Sequence, residues 1–313
     1  MFKKGGFFSV LFLIILIAGL IYACYYLYQY WPREPVTLEV VGDKPVSVQN
    51  GVPSKQFYER MRYTDKKISY FLANSCSSTS KNNMLVAMQN LESLTVLEFV
   101  KGNKSKSEIK ILCSDVAPEA GEENHFVAGE GGAKRVLNSS LYSVILEGQI
   151  SLFREETCSE PKVATHELLH AIGFDHNNNI KSILYPTLKC DQEIDVEIID
   201  SINRLYSVKS LPDLIIHSTA ATKSGRYLNF HIEILNQGLI TSSPANLDIY
   251  ANDEFVEKFE IGAISIGARK IFDVENLRVH GSTNKIKFRV DNQNLIEELD
   301  EQNNEVVLQL NSN

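Results

Sequence analysis

The residues best placed to do chemistry lie in one short stretch that holds three of the seven histidines. His166 and His170 are four residues apart, so on a helix they project from one face and both imidazoles can reach a single metal ion. Gly173 allows a sharp turn after the helix, which returns His176 as a third ligand. Three protein ligands around a tetrahedral zinc leave one position for water, as catalytic sites do. Glu167, beside the first histidine, can reach that water without binding the metal.

This spacing, His-Glu-x-x-His-x-x-Gly-x-x-His, resembles the extended motif of the metzincin metallopeptidases, and most closely that of their matrixin branch. Residues 182–186, Ser-Ile-Leu-Tyr-Pro, and a following helix that ends at Tyr206 fit the same branch. The resemblance covers roughly residues 55–208. It implies an α+β domain with a mixed sheet and a zinc-binding helix. It also implies a zinc endopeptidase that acts on peptide or protein substrates, with Glu167 as the general base.

The chain departs from the matrixin pattern at the position of the Met-turn methionine, which is Leu184. Exchange of leucine for methionine conserves volume and is usually mild, so we expect Leu184 to fill the hydrophobic floor under the ligands. It is also the sole support for the alternative function, a cell-surface adhesion or binding protein with an inactive peptidase fold. Tyr185 follows directly, as in matrixins, and is not expected to bind the metal.

Two further expectations concern the surroundings of the zinc helix. A Gly-rich loop at residues 129–132 precedes a strand over residues 144–153, and the substrate is expected to pair with the edge of that strand. The matrixin loop that holds calcium and a structural zinc has no clear counterpart in the sequence. His125, with Glu122 and Glu123, is interpreted as part of a surface loop instead.

Length and charge bound the remaining function classes. The chain has 313 residues, a mass of 35.3 kDa, a net charge of −8 and a pI near 5.5. This length favours about two domains of roughly 150 residues each. The acidic balance argues against a nucleic-acid partner, because phosphate contacts need clustered Lys and Arg.

The N-terminal segment predicts export. Residues 6–28 contain no charged side chain, and at about 1.5 Å per residue they can cross a hydrocarbon core of about 30 Å. Lys3 and Lys4 precede the segment, which predicts a cytoplasmic N-terminus and an extracytoplasmic remainder. We therefore expect a single transmembrane helix within residues 1–30 and location in the cell membrane. A cleaved signal peptide and lipidation at Cys24 are the alternatives.

The pattern of the chain after the predicted linker, residues 31–54, divides at about residue 208. Residues 55–208 mix short apolar strand-like runs with helices predicted at 82–93, 162–172 and 195–206. Residues 209–313 contain about seven short strands separated by Gly, Asn, Asp and Ser. That spacing is typical of an all-β, immunoglobulin-like sandwich.

The second region resembles the CARDB module, a sandwich related to cell-adhesion domains. The resemblance rests on Pro-Asp-Leu at 212–214, Asn-Gln-Gly at 236–238 and an acidic, amide-rich run at 298–305. It implies a domain that positions the peptidase or binds a partner at the cell surface. Calcium is one interpretation of the acidic run, because hard cations favour carboxylate and carbonyl oxygens. A turn with Asx-type local hydrogen bonds is the favoured interpretation.

Export of the chain would make disulfides possible. Outside the apolar segment there are four cysteines, which allow three pairings that sequence alone cannot separate. Their positions relative to the matrixin-like motif favour the pairs Cys76–Cys113 and Cys158–Cys190. Four buried free thiols are the alternative.

Overall fold

The structure is a computed structural model that describes residues 7–30, 39–41, 56–118, 127–156 and 158–310. Most of the predicted linker, together with Glu122, Glu123 and His125, lies outside these residues. The elements in chain order are α1 (Phe7–Tyr30), β1 (Glu39–Val41), β2 (Met61–Tyr63), β3 (Lys67–Leu72), α2 (Ser78–Leu94), β4 (Glu98–Lys101), β5 (Ile109–Cys113), β6 (Gly129–Asn138), β7 (Ser143–Leu152), α3 (Lys162–Ala171), α4 (Val196–Ser207), β8 (Leu214–Ser224), β9 (Tyr227–Asn236), β10 (Ala245–Ala251), β11 (Glu254–Gly262), β12 (Arg269–Arg278), β13 (Lys285–Val290) and β14 (Glu305–Gln309).

The first region contains a six-stranded mixed sheet. Five strands pair parallel in the order β2-β7-β5-β3-β4, and β6 pairs antiparallel with β7. β7 therefore has partners on both edges: β6 along one, and β2 and β5 along the other. The prediction that a substrate pairs with the edge of residues 144–153 is wrong, because that edge is already hydrogen-bonded. The predicted Gly-rich loop at 129–132 is also wrong, since those residues begin β6.

Three helices pack around this sheet, close to where the 3.6-residue patterns predicted them. α2 begins after Ser77, whose hydroxyl accepts the N–H of Ser80 at 3.0 Å and so satisfies one free donor of the first turn. α4 begins after Asp195 and buries a stripe that includes Ile202. The apolar faces of all three helices and of the sheet form one continuous core. This core fixes α3, and with it the histidines, relative to the sheet.

The second region is the predicted all-β domain. Its seven strands, β8 to β14, and β1 from the predicted linker form two antiparallel four-stranded sheets with the orders β1-β12-β9-β8 and β11-β10-β13-β14. Buried residues of both sheets form a single core, in which the ring centroids of Phe230 and Phe288 are 4.9 Å apart. Buried residues (Ile286, Phe288 and Val290) alternate with half-buried ones along β13, which is the pattern expected of strands with one covered face.

The turn between β6 and β7 contacts the second region. The Ser139 hydroxyl donates to the carbonyl of Gln237 at 2.8 Å, and Val144 and Leu239 are fully buried in a small apolar cluster that spans both regions. A Cβ on Gly267 would lie 2.6 Å from the Leu137 side chain and 2.8 Å from the backbone oxygen of Asn138. The two segments therefore approach too closely there for any larger residue. The β6–β7 hairpin therefore packs directly against the second region.

At the N-terminal end, α1 is 24 residues long. Among the residues that the structure describes, no helix meets the length and hydropathy needed to cross a membrane. The single transmembrane helix expected from the sequence is therefore not supported by the structure.

Candidate metal centre and cleft

Helix α3 carries the candidate ligands and receives its cap from the preceding loop. Pro161 at the N-cap makes no side-chain hydrogen bond, and the carboxylate of Glu156 instead accepts the N–H of Val163 at 2.9 Å. A carboxylate at this end also interacts favourably with the helix dipole. All of α3 except Val163 is buried. Capping and packing together fix the direction in which the histidines point.

The structure brings the three predicted histidines together. Nε2 of His166 lies 2.9 Å from Nε2 of His170, and both atoms lie 3.2 Å from Nε2 of His176. Nitrogen ligands at about 2.0–2.1 Å from a tetrahedral zinc are roughly 3.3 Å apart. Within the described ranges, one group of three or more His, Cys, Asp or Glu side chains has potential ligand atoms that all lie within 4.8 Å of one another, and this triad is that group.

Backbone carbonyls fix the tautomers of two of these rings. Nδ1 of His166 lies 2.6 Å from the carbonyl oxygen of Ile183, and Nδ1 of His170 lies 2.7 Å from that of Phe174. A carbonyl can only accept, so each Nδ1 donates and each neutral ring keeps its lone pair on Nε2. Lone pairs that face one another at this distance repel unless a cation lies between them. The donor set therefore fits zinc.

Burial of His166 and His170, each 5% exposed, keeps their imidazoles neutral, whereas His176 is more exposed. Desolvation lowers the pKa of His166 to about 3, and it also lowers the pKa values of His170 and His176. Neutral imidazole is the form that binds a metal. The site thus loses little metal affinity to protonation at neutral pH.

The chain turn that returns the third histidine is built on β2. Gly173 has φ +103°, and a Cβ there would lie 2.9 Å from the Met61 side chain. Both the backbone conformation and the close approach require glycine. Tyr63, fully buried, donates its hydroxyl to the carbonyl of Ala171 at 2.9 Å and so holds the last turn of α3.

The residue at the methionine position of the following turn is buried as expected. Leu184 is 1% exposed and belongs to the same core as α3. Its carbonyl accepts the N–H of Asn177 at 2.9 Å, and the neighbouring Ile183 carbonyl is the one that holds His166. The turn therefore adds Leu184 to the apolar core and also orients the His166 ring.

Glu167 lies against β6, and only glycines allow that contact. A Cβ on Gly131 would lie 2.2 Å from the backbone oxygen of Glu167, and one on Gly129 would lie 2.8 Å from its Cγ. Burial, reinforced by the charge of Glu130 and opposed by a hydrogen bond from the Gly131 N–H, raises the pKa of Glu167 to about 8. A divalent cation nearby favours the ionised form and opposes this rise.

A cleft of about 1130 Å³ opens beside these residues. It is lined by Glu167 and the three histidines, by residues 127–131 at the start of β6, and by residues 186–190. Both disulfides expected from the sequence are present, Cys76–Cys113 and Cys158–Cys190, and the second lines the cleft. The arrangement can hold a metal ion at the base of an open groove, with one carboxylate beside it.

Comparison with known proteins agrees with this geometry. The matrixin family model matches residues 62–207. Residues 62–207 are a matrixin domain. The CARDB family model matches residues 211–307, so a CARDB domain follows. Matrixins as a family are zinc-dependent metallopeptidases.

A curated relative is the macrophage metalloelastase of Rattus norvegicus, 24% identical over 210 residues. The match covers 60% of this chain and 44% of that protein, so it spans less than half of the relative's length.

Two solved structures are similar to the CARDB domain. One is the CARDB domain of a Pyrococcus furiosus protein in complex with di-metal ions, 17% identical, covering 32% of this chain and 89% of that one, with a TM-score of 0.28. The other is a domain of a protein described as a cell-surface protein from Methanosarcina acetivorans, 19% identical, covering 33% and 95%, with a TM-score of 0.29.

The acidic run of the CARDB domain forms the local turn that the sequence favoured. The Asp300 carboxylate accepts the N–H of Gln302, two residues on, at 2.9 Å, which is an Asx-type bond. Calcium is not shown by the structure.

Sequence reasoning missed several residues that build the matrixin site. Glu156 and Tyr63 reach α3 from other elements, and Phe57 lines the cleft near His170, with ring centroids 5.6 Å apart. No local pattern marks these contacts. The glycines at 129 and 131 did carry a signal, because glycine within a strand often marks a close backbone approach.

Proposed function

We propose that the matrixin domain is a zinc-dependent endopeptidase whose metal is held by His166, His170 and His176. The observation that carries this proposal is the convergence of their Nε2 atoms, two of them with lone pairs fixed by backbone carbonyls. When bound, zinc supplies a Lewis acid that polarises a carbonyl and makes water easier to deprotonate.

Glu167 moves the proton in this proposal. It takes one from the attacking water and delivers it to the leaving amine nitrogen, which is the work of a positioned general base and acid. Its contact with β6 and the hydrogen bond from the Gly131 N–H hold the carboxylate in one orientation. The site therefore places a buried carboxylate of fixed orientation next to the metal ligands.

The substrate, a peptide or an unfolded protein segment, lies extended along the outer edge of β6. Residues 127–131 line the cleft, whereas both edges of β7 already have partners. An extended peptide added to a sheet edge gains main-chain hydrogen bonds without regard to sequence. Side-chain pockets in the cleft then supply selectivity.

We also propose that both domains lie outside the cytoplasm. The two disulfides support this location, because such bonds persist in oxidising compartments. The CARDB domain then positions the peptidase or binds a surface partner. Anchoring through the N-terminal segment stays a prediction from the sequence, which a reporter fused after Asn313 can test.

The deciding experiment compares the full chain with Glu167→Ala in zinc content, thermal unfolding and cleavage of an unfolded protein. The variant should keep zinc, since Glu167 is not a ligand, and should lose turnover by about 10²–10⁴-fold. The matched control is Glu98→Ala, which removes an exposed carboxylate on β4, far in sequence from the cleft. It should leave turnover unchanged.

A zinc-loaded, folded wild-type chain that cleaves nothing across a broad peptide library would contradict the proposal. The alternative function, a surface-binding protein with an inactive peptidase fold, would then be the better account.

A further inference from the structure

One wall of the cleft is an irregular loop. This wall consists of residues 186–190, which lie between α3 and α4 in the chain, line the cleft and form neither helix nor strand. Such a loop has no ladder of backbone hydrogen bonds to hold its shape. Its position relative to α3 must come from individual side chains, and the structure shows which ones.

Gln192 organises the wall from inside. It is fully buried, its Nε2 donates to the carbonyls of Ile180 at 3.2 Å and Thr187 at 3.1 Å, and its Oε1 accepts the N–H of Lys189 at 2.8 Å. Both donors of the amide are used. One side chain therefore joins three points of the backbone around the wall.

A covalent bond joins the same wall to the start of the zinc helix. The Cys158–Cys190 disulfide links the end of the wall to the segment just before α3, and both cysteines line the cleft. Lys162, in the first turn of α3 and almost fully buried, adds an ion pair at 3.3 Å to Glu193, three residues beyond the wall. The wall cannot move away from α3 without breaking these links.

We propose that Gln192 and the Cys158–Cys190 disulfide are specificity-determining positioning residues. They fix the position of the wall relative to α3, so that the part of the cleft lined by Val163 and Leu188 discriminates substrate side chains by size. Discrimination by shape needs a wall that does not yield, and a fitted pocket separates side chains by roughly 10–200-fold per methylene. This inference rests on the proposed peptidase function.

The test compares two double variants of the full, zinc-loaded chain. Cys158→Ser with Cys190→Ser frees the wall, and Cys76→Ser with Cys113→Ser removes the other disulfide, which closes a loop of similar length and does not line the cleft. Peptides that differ only in one side chain next to the cleaved bond, small or large, give kcat and KM separately. Hydrogen exchange over residues 186–192 reports the wall itself.

We expect the first variant to lose about tenfold in selectivity, mainly through KM, with zinc content and pH profile unchanged and faster exchange in the wall. The second variant should keep wild-type selectivity. Gln192→Ala should show the same loss of selectivity as the first variant. It provides the test if the first variant does not fold.

Faster exchange with unchanged selectivity would overturn the inference while leaving the peptidase function intact. Equal loss of selectivity in both double variants would also overturn it. Failure of the wild-type chain to cleave any peptide would overturn the proposed function, and this inference with it.

Discussion

Two groups of mostly buried polar side chains, one in each domain, differ in how their lone pairs are used. In the CARDB domain, every carboxylate oxygen of Asp213 and Glu298 accepts a hydrogen bond from the chain itself, from Asn303, Gln237, Asn304 and the Leu214 N–H. In the matrixin domain, the Nε2 atoms of the three histidines face only one another. Both groups are costly to bury.

The difference separates structure from chemistry. Carboxylates that accept hydrogen bonds from their own fold support the structure, whereas converging imidazole lone pairs are arranged to bind a cation. Burial and charge alone do not tell a structural group of polar side chains from a metal-binding one. The direction of the hydrogen bonds distinguishes them.

The largest effect should come from removing one histidine. His176→Ala takes away one of three ligands, and since zinc contributes about 10–16 kcal/mol in four-ligand sites, we expect a loss of about 4 kcal/mol, on the order of 10³-fold in affinity. Competition with a chromophoric chelator measures this loss. Wild-type affinity in the variant would assign the third ligand to another group, such as Asp175.

A smaller effect should follow from loosening the end of the zinc helix. Tyr63→Phe removes the hydroxyl that donates to Ala171 and leaves a buried carbonyl unsatisfied. We expect about 2 kcal/mol lower stability and about 10-fold weaker zinc binding, as for other groups that orient ligands. Urea denaturation and the same chelator competition test both. Unchanged zinc affinity with lower stability would make Tyr63 a support of the fold alone.

The carboxylates of the CARDB domain should respond to pH instead of metal. Burial, reinforced by the charges of Glu301 and Asp213, raises the pKa of Glu298 from 4.5 to about 7. A raised carboxyl pKa favours the protonated form in the folded state. Its stabilising contribution is therefore complete below about pH 4.5 and is lost as the pH rises through 7.

We expect the free energy of unfolding of the CARDB domain to fall by about 1 kcal/mol between pH 5 and pH 8. Hydrogen exchange of β13 and β14 in the full chain during urea unfolding measures it. Glu298→Gln should flatten this dependence. The same slope in that variant would assign it to Asp213, whose pKa is also raised by burial.

The smallest effect should come from Leu184→Met. The two side chains have similar volume, and Leu184 lies in a well-packed core, so we expect turnover within about threefold of wild type. Steady-state kinetics on one peptide suffices. A large gain in turnover would mean that the native turn is defective, and it would strengthen the inactive-fold alternative.

The parts of the site that sequence predicted are local in the chain. His166 and His170 share one helical face, Glu167 directly follows His166, and Gly173 and His176 follow within six residues of His170, so spacing alone defined the triad. The substrate edge was predicted wrongly because strand pairing joins distant segments. Nothing within residues 144–153 reveals that β2, β5 and β6 cover both of its edges.

The β6–β7 hairpin has a consequence for how such proteins evolve. Its turn is seated on Gln237 and Gly267 of the CARDB domain, while the start of β6 lies against Glu167. Replacement of the second domain by an unrelated module would expose Val144 to water and remove the support of the strand that borders the cleft. The two domains are therefore not freely interchangeable parts. A substitution on either side of this contact therefore changes the packing of the other side.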